Sequence, residues 1–169
     1  MSALVFLNLR RRETLEGKQS AAREVLAQGV GAGPTQQAEG VFSYGLSSAC
    51  AHYLDIALSE KADELNTWAS QRGKRITSTT ILDKHPETLR LEQGSIMRTP
   101  DDSVAVVLPL SATAVQVEGK AASSEEPATT TTRATWEPEA AMLVAAGQAF
   151  SVVEGSAHLV YVVVRMQSA

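Results

Sequence analysis

The chain is poor in the residues that carry most protein chemistry. Among its 169 residues there is one cysteine, Cys50, and there are three histidines, His52, His85 and His158. A single thiol cannot close an internal disulfide, so the fold does not rest on oxidation. Aromatic residues make up only 5%, and none interleaves with a basic cluster, which argues against a base-stacking platform. Positive charge is short as well: 15 Lys and Arg stand against 19 Asp and Glu, for a net charge of −4. Such a chain does not draw polyanions, so no nucleic-acid partner is expected. The only basic run is Arg10-Arg11-Arg12. No apolar stretch has the length to span a bilayer.

The apolar start, MSALVFLNL, precedes its arginines, which is the wrong order for a secretory signal. Mitochondrial import is not favoured either, because Glu13, Glu16 and Glu24 are interspersed among the arginines. An intracellular protein is the expectation, with the compartment open.

What is present is an ordinary globular balance, 44% apolar and 20% charged. The pattern divides the chain into an arm and one domain. Residues 1–40 read as an N-terminal arm: a short strand over 4–9, a helix over 14–28, then the glycine-rich linker Gly29-Val30-Gly31-Ala32-Gly33-Pro34. Residues 41–169 read as a single domain. Within it, Leu54, Leu58, Ala62, Leu65 and Trp68 recur at helical spacing, which predicts a helix over 47–72. Ser47 or Ser48 caps its start and Gly73 its end. The charges at Glu60, Lys61, Asp63 and Glu64 interrupt the apolar stripe and are expected on the solvent side.

After Gly73 the period changes. Short β-branched runs predict strands over 75–82, 87–92, 94–98, 103–110, 113–118, 129–136, 141–145, 148–153 and 158–166. Turn residues separate them, among them Gln93-Gly94, Pro100-Asp101-Asp102, Glu118-Gly119 and Glu154-Gly155. Many short strands with close turns mean an antiparallel sandwich or small barrel over 75–166, with the 47–72 helix packed on it. The fold class is therefore mainly β with N-terminal helices. The runs 104–108 and 159–164 are almost wholly apolar, so something must cover both faces. The helix or a second subunit would serve. Residues 120–131 are small, polar and acidic, as a long exposed loop would be.

Reactive residues do not form a constellation in the sequence. Cys50 and His52 lie two apart on a helix and point away from each other. His85 sits in a turn before Pro86. No nucleophile elbow or phosphate loop is present, since the glycines 29, 31 and 33 are wrongly spaced and no Lys-Ser/Thr pair follows. No catalytic residue is assigned.

One segment does stand out. Gly147, Gly155 and His158 in GQAFSVVEGSAH have the spacing of a glycine, a second glycine eight later and a histidine three after that. This resembles the second conserved motif of the cupin superfamily. Val153, Gln148 and Val162 depart from its usual proline, aspartate and asparagine. The resemblance implies a jelly-roll barrel in which Gly147 and Gly155 make turns and His158 points inward. It also places the other metal ligands upstream, near 105–108 and at Ala112 when counted back from Gly119. Those positions are apolar, so the resemblance is to the metal-free branch, with no metal and no cofactor expected.

Two functions follow as expectations. One is a non-catalytic structural or protein-interaction module, self-associating through its β-sheet and docking in a larger assembly. The other is a metal-independent isomerase or epimerase, or a small-ligand binder, using His158, Tyr161, Arg98 and Gln116 inside the barrel.

Overall fold

A computed structural model describes residues 4–28, 34–76, 86–120 and 131–169. Twelve strands and two helices occupy them, in chain order β1 (Leu4–Asn8), α1 (Arg12–Gln28), β2 (Thr35–Ala38), β3 (Val41–Gly45), α2 (Ser48–Ser70), β4 (Lys74–Ile76), β5 (Glu87–Glu92), β6 (Ile96–Arg98), β7 (Ser103–Pro109), β8 (Val115–Lys120), β9 (Thr131–Trp136), β10 (Ala140–Val144), β11 (Ala149–Val152) and β12 (Ser156–Ser168). The larger sheet runs β1-β10-β7-β12-β5-β3-β2, with β4 also on β12, and the smaller runs β6-β11-β8-β9. From β5 to β12 the chain crosses between the sheets at every step except β8 to β9, which pair within the smaller one, and every pairing is antiparallel. That is a jelly-roll barrel, as expected, carrying two helices.

The turns form where the residues demand them. Gly147 (φ +72) and Gly155 (φ +68) adopt left-handed conformations that disfavour a β-carbon, and each separates two strands. Gly147 is also crowded, since an added Cβ would lie 3.2 Å from an Asp101 carboxylate oxygen.

The doubly apolar strands explain the layering. On β7 and β12, Val104, Val106, Leu108, Val160, Val162 and Val164 pack with α1 and α2. Their alternate neighbours Ala105, Val107, Leu159, Tyr161 and Val163 pack toward the smaller sheet. The two helices therefore supply the cover that the sequence required. Both faces of these strands are sealed within one chain, so they do not offer the self-association surface expected of them.

The helices are fixed by their ends. Ser47 is the N-cap of α2, its hydroxyl accepting from the Cys50 amide at 3.2 Å. The start of α1 is held by a residue from the other helix. Glu60 accepts from the amides of Arg10 (2.9 Å) and Arg11 (3.1 Å) and from the Thr14 hydroxyl (2.7 Å). A carboxylate there complements the positive end of the helix dipole. Its side chain is only 5% exposed, which corrects the expectation that Glu60 faces solvent.

The expected arm is also corrected. β1 pairs with β10 over Leu4–Asn8, and Leu9, Ala21 and Val25 are buried in the helical core. Residues 4–28 are thus built into the domain. β2 and β3 occupy a region in which no strand was expected. The expected linker over 29–33, most of the 75–82 strand, His85 and the 121–130 part of the polar loop lie outside the described residues.

Candidate functional site

A jelly-roll barrel offers its interior as the natural place for a site. Here the side chains aimed inward include Leu89, Leu91, Val107, Trp136, Met142 and Phe150, all nearly inaccessible. Trp136 fixes the rim, its indole donating to the Ala140 carbonyl at 2.7 Å. The residue three positions after the turn glycine Gly147 is Phe150, and it is inward-facing and 1% exposed. Polar side chains share this face at Ser43, the cross-strand partner of Leu89, and at Tyr161. Tyr161 packs in the barrel core directly opposite Glu87 on β5. Burial, then the nearby Glu87 carboxylate, pushes its phenol pKa up to about 12. Gln37 closes on Glu87 at 3.4 Å.

His158 is not in the barrel. Ala157, Leu159 and Tyr161 take the inward positions, so strand alternation turns His158 to the opposite face of the larger sheet. This corrects the direction implied by the motif. The four expected ligand residues are dispersed. Tyr161 faces inward. Gln116 lies on the exposed side of β8, bonded to the Thr135 hydroxyl at 3.0 Å. Arg98 is exposed at the end of β6.

What surrounds His158 was not expected. Arg90 is its cross-strand partner on β5. The Tyr44 hydroxyl lies 3.4 Å from Nε2, with the rings 5.8 Å apart. Arg90 approaches the same hydroxyl at 3.5 Å, lies over the Phe42 ring at 4.3 Å and meets Glu92 at 3.6 Å. Its Nε is buried without a partner. Burial, and then the Arg90 charge, lower the His158 pKa, so the imidazole stays neutral to lower pH than usual. A phenol, a neutral imidazole and a guanidinium thus share one half-buried patch on the sheet's outer face. Such a set can donate to an oxyanion, and its neutral imidazole can accept a proton. Alternation of Leu89 and Leu91 marks Arg90 as facing away from the barrel, but no local signal links it to Tyr44, 46 residues earlier.

No family model matches the sequence, and no curated relative matches it at a significant level. Solved structures do resemble it. The epimerase SnoN, in complex with Fe3+, alpha ketoglutarate and nogalamycin RO, matches with TM-score 0.58 at 11% identity, over 96% of this chain and 78% of that one. A Pseudomonas putida prolyl-4-hydroxylase matches with TM-score 0.56 at 12% identity, over 96% and 92%. A looser likeness, TM-score 0.40 at 12% identity, runs to the Momordica charantia 7S globulin, covering 79% of this chain and 32% of that one. The first two likenesses show a cupin-like fold, as Gly147 and Gly155 indicated.

Iron in the SnoN complex raises the question of fit. Among the described residues no three of His, Cys, Asp and Glu gather as a metal-binding group. The inward positions hold mostly apolar side chains, and a single phenol, Tyr161, does not supply the set of ligands that iron needs. The described residues do not fit such an ion. Among them also, no helix is long and apolar enough to cross a membrane.

Proposed function

We propose that the chain is a non-catalytic cupin-like module that works through protein contacts, self-associating and docking in a larger assembly. The observation that carries this reading is the filled barrel. Where a catalytic barrel would present converging polar groups, this one presents Leu89, Leu91, Val107, Met142 and Phe150. The contact surface has to lie elsewhere than on β7 and β12. The edge strand β2 suits it: all four of its residues are exposed and, among the described residues, it pairs on one side only, with β3. Unpaired edge amides and carbonyls are a template for a further strand.

Light scattering on the purified chain, with metal analysis of the same sample, tests the reading. A dimer with substoichiometric metal is expected. A strict monomer at all micromolar concentrations overturns the self-association, and stoichiometric metal overturns the non-catalytic assignment.

One observation favours a second reading, a metal-independent small-ligand binder. It is the Tyr44, Arg90 and His158 patch, which moves the expected role of His158 from the barrel to the outer face. Titration of the His158 ring signals with acetate or inorganic phosphate tests it. Saturable shifts lost in Arg90→Met support it, and their absence removes it.

A further inference from the structure

A groove of about 270 Å³ runs between α1 and the segments that follow β7 and β9. Leu15, Ala22, Leu110 and Ala112 give it an apolar wall, and Lys18 and Glu139 give it two opposite charges. Neither the packed barrel nor the His158 patch uses these residues.

Lys18 is an unusual lysine. It is only 9% exposed, on a helix whose Ala21 and Val25 are in the core, and lysine is seldom buried without a partner. Its ammonium donates to the Pro138 carbonyl. An ammonium has three hydrogens to give, and among the described residues the Pro138 carbonyl is the one acceptor it meets. Burial lowers its pKa, and the Glu139 charge only partly opposes that. The two charges line one groove yet form no ion pair with each other. A desolvated cation short of acceptors gains from a ligand that brings its own anion. The facing Glu139 disfavours a dianion such as phosphate and favours a ligand that also carries a positive group. The volume lies just below the usual range for small-molecule sites, which limits the ligand to few atoms.

We propose that this groove binds a small aliphatic α-amino acid, its carboxylate on Lys18, its ammonium on Glu139 and its side chain against Leu15, Ala22, Leu110 and Ala112. The proposal does not rest on the self-association reading, because the groove is complete within one chain.

The test is titration of the labelled full chain followed by amide NMR, with three probes. These are leucine, 4-methylpentanoate, which lacks the ammonium, and 3-methylbutylamine, which lacks the carboxylate. Leucine is expected to shift the amides of Ala22, Leu110, Ala112 and Glu139 saturably. Each analogue is expected to bind at least about tenfold more weakly, a difference of about 1.4 kcal/mol. Lys18→Met keeps the length and packing of the side chain and is expected to abolish the leucine shifts. Glu139→Gln, at an exposed position, is expected to bring leucine down to the affinity of 4-methylpentanoate. No saturable shift with leucine overturns the proposal. Equal binding of all three probes, or leucine binding unchanged in both variants, overturns it as well.

Discussion

The two cores on either side of the larger sheet are built differently. The layer between the sheets is held mainly by apolar packing, with the Trp136 indole bonded to the Ala140 carbonyl and Tyr161 set opposite Glu87. The layer beneath the helices is equally apolar in its side chains, but it is pinned by directed bonds. Glu60 caps α1, the Tyr53 hydroxyl donates to the Pro109 carbonyl at 2.9 Å, and Lys18 reaches the Pro138 carbonyl. Apolar burial fixes how much surface is removed from water without fixing angles, whereas a buried hydrogen bond fixes where a helix sits. The barrel positions itself through its ladders, while the helices need these pins.

The contrast can be broken at its apolar side first. Phe150→Ala leaves a cavity in the middle of the barrel and is expected to cost about 3–5 kcal/mol in denaturant unfolding. On the helical side, Glu60→Ala removes the acceptor for two amides and a hydroxyl, and a loss of about 1–3 kcal/mol is expected. A cost for Glu60→Ala below about 0.5 kcal/mol would erase the distinction between the two layers.

Acidity sharpens the comparison further. Burial alone would raise the Glu60 pKa, but the bonds from Arg10, Thr14, Arg11 and Lys61 outweigh it, and the net shift is downward. The unfolded chain therefore takes up a proton first. The stabilisation is complete above the unfolded value of about 4.3 and is lost as pH falls toward the folded one. In Glu60→Gln this part of the acid-induced loss should vanish, and an unchanged pH profile in melting experiments would refute it. Tyr53→Phe removes one buried hydroxyl and strands the Pro109 carbonyl, for about 1–2 kcal/mol with little change in fold by circular dichroism. The smallest effect concerns His158. Its lowered pKa means that the unfolded chain binds the proton more readily below about 6.5, so stability should decline from there downward. His158→Gln should flatten that decline, leaving the Glu60 component in place.

The strands after Gly73 were legible because each is a short β-branched run bounded by glycine, proline or aspartate, and the observed strands from β5 onward follow the expected ones to within a few residues. Helix α2 was legible from its stripe and its Ser47 cap, while its C-cap is Gln71, two residues before the expected Gly73. The faces of β12 were not. A strand apolar on both sides carries no alternation to mark which residues point inward, and an error of one position reverses every side chain. Nothing on β12 itself therefore opposed the inward direction that the motif resemblance implied for His158. β2, with the sequence TQQA, has no apolar face to announce it. The Glu60 cap and the Tyr44 patch depend on partners 46 or more residues apart. Such contacts exist only once the fold brings their elements together.

The pairing of β1 with β10 has a kinetic consequence. Leu4 lies opposite Val144 and Asn8 opposite Ala140. No local turn can bring these segments together, so closing that loop takes its conformational entropy in one long-range step. Contacts of such separation slow the search for the native state. The first strand should join late, after β7 and β10 present an edge, and until then that edge stays open to strands of other molecules.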